Sequence, residues 1–126
     1  MPRQLTDDEL DSEVLYVIRM HRGQENAIRR WDLCIRVFGE DAALDRNDGN
    51  TYDRGVRKSI QRLRLDGHLI CNLGNGDGYF MATNNDEYLK FRSVFGSHAF
   101  PIMETIREMD KAAARQWPNP LQPRMM

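Results

Sequence analysis

Residues 54–66 carry the groups in this chain best suited to acting on another molecule. Arg54, Arg57, Lys58 and Gln61 recur at helical spacing, with Arg62 and Arg64 at the margins, so on a wheel of 100° per residue the first four point to one side. Arginine supplies the planar fork that contacts a phosphate or a guanine edge bidentately. Laid in a major groove, such a helix would present Arg54, Arg57, Lys58 and Gln61, leaving Arg62 and Arg64 for backbone phosphates. Asn75, with Asn72 and Asn85, can reach sugar or phosphate nearby, although asparagines in such places also serve their own turns. The plainer alternative is a solvated charged face, but five basic residues against one acidic residue in this stretch exceed what solubility requires.

Other chemistry is not indicated. His21, His68 and His98 lie far apart without ligand spacing, and Ser59, Ser93 and Ser97 lack the context of an activated nucleophile. Cys34 and Cys71 have no CxxC partner and sit in apolar periodic segments, which predicts buried free thiols rather than a disulfide or a zinc site. The Gly-x-Gly-x-Gly run at Gly74–Gly78 lies between two strand-like runs, so it cannot set a helix N-terminus against a nucleotide phosphate. No catalytic residue, metal site, cofactor or small-molecule substrate is expected.

The basic row sits on a helix over about 51–66. Val56, Ile60 and Leu63 form its apolar stripe, Asn50 or Thr51 caps its start, and Gly67 ends it. Strand-like runs at His68–Leu73 and Tyr79–Thr83 follow, joined by Gly74-Asn75-Gly76-Asp77-Gly78 in a tight hairpin. Upstream, Thr6 and Glu9 form a capping box and Leu5 faces Leu10 as a hydrophobic staple, which predicts a first helix over roughly 7–21. His21 at its end reads as a capping or half-buried residue. Ala27-Ile28-Arg29 is expected as a very short strand, and a second helix over about 31–38 uses Trp31 as a core anchor and Gly39 as its terminator. Glu40–Asn50 forms a long acidic loop in which Ala42-Ala43-Leu44 can make one helical turn.

The net charge of −1 hides a block pattern: residues 1–13 carry −4, 14–38 carry +3, 39–53 carry −4, 54–66 carry +4 and 67–126 carry none. Of the 18 basic residues 15 are arginine, which suits nucleic acid and protein interfaces alike. The −4 block directly before the basic helix would weaken phosphate binding unless it points away.

The order helix, stub strand, helix, helix, hairpin resembles the winged helix-turn-helix family. The pattern Ile60-x-x-Leu63-x-x-x-Gly67-x-x-Ile70-Cys71, followed by Gly78-Tyr79-Phe80-Met81-Ala82-Thr83 and an acidic helix start, resembles small winged-helix proteins encoded by phages and prophages. The likeness covers about residues 10–115. Arg29-Arg30-Trp31 stands where those proteins usually carry a Ser or Thr cap, and the 40–50 loop is long for a helix-turn-helix. The resemblance implies an α+β, mostly helical fold with three helices and a small β-hairpin wing over 1–83. It also implies binding of duplex DNA as a regulator, or, as an alternative, use of the scaffold by a phage inhibitor to bind a host protein.

Beyond the hairpin, Tyr88, Phe91, Phe95, Ala99, Ile102, Ile106, Met109 and Ala113 recur every three or four residues, predicting a long amphipathic helix over 84–117. Gly96 and Pro101 predict a kink at 96–101 or two helices end to end. The stripe either packs across the first helix or forms a partner surface, with Phe95, Ile102, Ile106, Met109 and Ala113 as candidates for a homodimer interface. The proline-rich 118–126 is expected as an extended tail. No run is long and apolar enough for a membrane span, and no signal peptide is evident, so the cytoplasm is the expected location.

Overall fold

The computed structural model describes residues 2–118. The chain is α+β and mostly helical: α1 (Asp7–Arg19), α2 (Arg30–Phe38), α3 (Thr51–Leu65), an antiparallel hairpin of β1 (Ile70–Asn72) and β2 (Tyr79–Met81), then α4 (Asn85–Ser97) and α5 (Ala99–Gln116). Two compact units divide it at Phe91/Arg92, within α4. The expected tail beyond Pro118 lies outside the described residues.

The first unit is built on side chains spaced for helix burial. Leu10, Val14, Val17 and Ile18 of α1 meet Leu33, Cys34, Val37 and Phe38 of α2 and Val56, Ile60 and Leu63 of α3 in one core. Trp31 packs at its margin, and the Phe38 and Tyr52 rings lie 5.2 Å apart. A second cluster under the hairpin joins Cys71, Phe80 and Phe91. Burying each large aliphatic chain stabilises the fold by about 1.5–3 kcal/mol.

Local signals fix the helix ends. Thr6 and Glu9 form both halves of the capping box, and Leu5 packs against the core that contains Leu10. α1 stops at Arg19, two residues short of the expected end. The His21 carbonyl is drawn off to accept from the Met81 amide at 2.9 Å, and His21 Nδ1 meets the Asn26 carbonyl at 2.7 Å. Asn50 caps α3 by accepting from the Tyr52 and Asp53 amides, at 2.9 and 3.0 Å. At the other end Gly67, at φ 96°, lets the His68 amide donate to Leu63 and its own amide donate to Arg64, both at 3.0 Å, in a Schellman close. That close uses His68, so β1 begins at Ile70 rather than His68.

The expected strand at Ala27–Arg29 is a single bridge. Ile28 and Tyr79 exchange both backbone hydrogen bonds at 2.8 Å, and Arg22 forms a further bridge to Met81. Gly78 makes the approach possible. A Cβ there would fall 1.9 Å from the Ile28 carbonyl oxygen, and its φ of 100° is itself unfavourable to other residues.

In the second unit, His98 separates α4 from α5, close to the break that Gly96 and Pro101 predict. No residue of α5 is buried. Ile102, Ile106 and Met109 are 62, 52 and 65% exposed.

Candidate nucleic-acid interface

Burial of Val56, Ile60 and Leu63 turns the opposite side of α3 outward, and Arg54, Lys58 and Gln61 are all exposed along it at i, i+4 and i+7. The same exposed row ends in Leu65, which neither charge nor apolar spacing singles out and which is 80% exposed. Arg54 is tied at one end, donating from Nη2 to the Gly49 carbonyl at 2.9 Å.

The remaining arginines of α3 are engaged within the protein. Arg57 donates from Nε to Asp53 at 3.0 Å while its side chain keeps 45% of its exposure. Asp53 itself is fully buried, and Arg30 of α2 grips it from the other side with Nε and Nη2 at 2.7 and 2.6 Å. Asp48 adds a second carboxylate to Arg30 at 3.2 Å. These carboxylates hold the Arg30 guanidinium protonated even more firmly than usual, with the Asp53 hydrogen bonds as the main cause.

Arg62 is held by α1. Its Nε and Nη2 reach both oxygens of Asp11 at 2.8–3.2 Å, while the buried Ser59 hydroxyl donates to the same carboxylate at 2.6 Å. The Arg62 hydrogen bonds hold the Asp11 carboxyl below the ordinary carboxylate range. Arg64 donates to the Ile70 carbonyl at 2.8 Å and lies 4.8 Å from the Phe91 ring centre, where burial lowers its affinity for the proton. The two arginines expected on backbone phosphates therefore brace α3 against α1 and the hairpin.

The asparagines of the hairpin turn act locally. Asn75 accepts from the Asp77 amide at 3.1 Å and Asn72 from the Gly74 amide at 2.7 Å. The acidic 40–50 loop is ordered by similar bonds: Asn50 Nδ2 donates to the carbonyls of Ala42 and Asp45, at 2.8 and 2.7 Å, and a 3₁₀ turn covers Glu40–Ala43. Asp48 pairs with Arg30 at the surface, so one carboxylate of the acidic block is engaged within the protein.

A second cationic surface lies on α2. A surface cavity of about 480 Å³ is lined in part by His21, Arg29, Asp32 and Arg36. Among the described residues neither the Arg29 nor the Arg36 side chain has a hydrogen-bond or ion-pair partner. Its signal in sequence was the +3 block over 14–38. Both thiols are buried and free; burial pushes Cys34 up to about 12 and Cys71 up to about 11. No group of three or more possible metal ligands occurs among the described residues, and no described helix is long and apolar enough to cross a membrane.

No protein-family model, curated protein or solved structure matches the chain.

Proposed function

We propose that the chain is a non-catalytic winged helix-turn-helix protein that binds duplex DNA, a regulator of the kind phages and prophages encode. In this reading α3 is the recognition helix and the β1–β2 hairpin is the wing. The observation that carries it is the outward row of Arg54, Lys58 and Gln61 on a helix whose other arginines are engaged by internal bonds. A helix braced at Asp53, Asp11 and Ile70 presents that row with little ordering left to do on binding. Arg36 of α2 and Arg29, the residue before it, supply further positive charge.

The test is a shift assay with mixed-sequence duplex DNA across a salt series, comparing the wild type with Arg54→Ala/Lys58→Ala. The expected result is weaker binding with a shallower dependence on salt, since each lost phosphate contact lowers the slope by about one. Unchanged affinity at low salt, or no binding by the wild type, overturns the proposal.

One observation favours a second reading, a phage-encoded inhibitor that binds a host protein through the same scaffold. Asp11, Asp48 and Asp53 occupy Arg62, Arg30 and Arg57, and the outward row of α3 ends in the exposed Leu65. A surface of moderate charge with an apolar end suits a protein more than a phosphate backbone. Capture of a host protein that survives nuclease and high salt, and is lost with Leu65→Ser, supports this reading over DNA.

A further inference from the structure

The turn between β1 and β2 holds Asn75-Gly76, the one place in the chain where glycine follows asparagine. An asparagine carries an amide electrophile within reach of the next peptide nitrogen, and attack there closes a five-membered ring. A side chain on the following residue hinders that attack; glycine has none. The remaining conditions are structural: the nitrogen must be free of a hydrogen bond, and the side chain must fold towards it. Both hold at this turn. Asn75 and Gly76 are exposed. The Gly76 amide donates to no acceptor among the described residues, and nothing lies within 4 Å of the place a Cβ would take there. Asn75 Oδ1 accepts from the Asp77 amide at 3.1 Å, which folds the side chain back over the intervening peptide and draws electrons from Cγ. The three Asp-Gly pairs of the chain are shielded by contrast. The Gly49 amide donates to Asn47 at 2.8 Å and the Asp48 carboxylate is paired with Arg30. The Gly67 amide donates to the Arg64 carbonyl at 3.0 Å. Gly78 is buried against the Ile28 backbone.

We infer that Asn75 is a site of spontaneous modification, converting with water as its only co-reactant to aspartate and isoaspartate, so that the hairpin tip gains a second negative charge beside Asp77. The Gly76 nitrogen loses its proton and bonds to Asn75 Cγ. The Cγ–Nδ2 bond breaks, and Nδ2 leaves as ammonia with that proton. Water then opens the resulting succinimide at one of its two carbonyl carbons. Opening at Cγ restores the original backbone with an aspartate side chain. Opening at the main-chain carbon leaves the backbone routed through Cγ, one methylene longer, as isoaspartate. Ammonia is exchanged for water and nothing is oxidised or reduced. Either product makes the chain one unit more negative at a turn whose only charged residue is now Asp77. In the DNA-binding reading that turn is the tip of the wing, where two carboxylates repel phosphate, so affinity for duplex falls as the molecule ages. This consequence rests on that reading; the chemistry does not.

The test of the chemistry contains no nucleic acid, so it and the DNA reading can fail separately. The full chain is held at physiological temperature, at neutral and at mildly alkaline pH, and sampled over time by anion exchange and by peptide mapping with tandem mass spectrometry. A more acidic form should accumulate, with the mass change from amide to acid located at position 75 and isoaspartate as the larger product. Its rate should rise several-fold per pH unit, because the Gly76 nitrogen attacks without its proton. The rate in the folded chain should lie within about tenfold of that in a free peptide of residues 72–80, since the fold leaves this turn unshielded. Asn75→Gln, whose longer side chain would have to close a six-membered ring, should lose the acidic form. Asn75→Asp fixes the charge from the start and should bind duplex DNA about twofold or more weakly than Asn75→Gln; equal affinities overturn the consequence for DNA. A chain that stays unmodified at position 75, a native rate more than about tenfold below that of the peptide, or isoaspartate forming first at Asp48, Asp66 or Asp77 overturns the inference.

Discussion

Arg30 of α2 and Asp53 of α3 meet through two nearly parallel hydrogen bonds of 2.7 and 2.6 Å, and the carboxylate they share is fully buried. Arg57 adds a third bond from one turn further along α3. Two helices that are otherwise joined by apolar contacts are thereby fixed in rotation as well as distance. A bidentate pair specifies orientation in a way that Leu against Ile does not.

Asp53→Ala should therefore destabilise the first unit by about 2–3 kcal/mol. The figure sits at the low end for a broken buried pair because the Arg30 side chain keeps 35% exposure and can turn to water. Asp48→Ala, which removes a carboxylate that is 96% exposed, should cost less than about 1 kcal/mol. Urea denaturation of both variants checks the difference, and equal losses would show that burial of Asp53 is not what matters.

Substituting Gly78 should be the most damaging single change in the hairpin. The Cβ of Gly78→Ala would collide with the Ile28 backbone, and the positive φ adds strain. We expect a loss of about 3 kcal/mol or more as the Ile28–Tyr79 bridge opens. Gly74→Ala shares the positive φ but meets no neighbour, so it should cost about 1 kcal/mol. Thermal unfolding of the pair separates collision from strain.

Asp11 gives the fold a dependence on acid. Its carboxyl titrates below the ordinary range because Arg62 and Ser59 bond the ionised form. The stabilisation is present above the unfolded-state value near 4 and fades as the pH falls through the lower folded value. Asp11→Asn should be less stable than the wild type at neutral pH, and the gap should narrow as the pH falls below about 4. A gap that stays constant in urea titrations from neutral to acid would show that the Arg62 contact is not electrostatic.

The two arginine classes on α3 should separate in one experiment. Arg62→Ala should lower the unfolding midpoint, because it leaves the Asp11 carboxylate without its cation, and alter DNA affinity little per folded molecule. Lys58→Ala, on an exposed residue with no packing role, should do the reverse: an unchanged midpoint and a salt slope reduced by about one. A DNA defect from Arg62→Ala larger than that from Lys58→Ala contradicts the assignment.

Much of the fold could be read from neighbours in sequence. Thr6 with Glu9, Asn50 before Val56, and Gly67 after Leu63 are local devices whose partners lie within a few residues, so their geometry follows from the order of residues alone. The basic face could not be read so well. The wheel places Arg62 correctly at the margin of α3, but nothing near it announces Asp11, 51 residues earlier, and summing charge by block assumes that blocks do not meet. They do meet: the negative 1–13 segment reaches the positive 54–66 segment through Arg62, and the negative 39–53 segment is held by Arg30 of the positive 14–38 segment and by Arg57. Gly78 was equally opaque, since the backbone that requires a glycine there arrives from Ile28.

The short strand β2 has a consequence for how the protein behaves in a crowded solution. One of its sides pairs with β1, while on the other Tyr79 and Met81 bond to Ile28, His21 and Gly23. Arg64 meanwhile occupies the Ile70 carbonyl of β1. A hairpin only three residues deep is thus left with almost no open rungs onto which a foreign strand can add. The ribbon of this protein is shielded from templating its own aggregation, and Arg64 guards it as a gatekeeper.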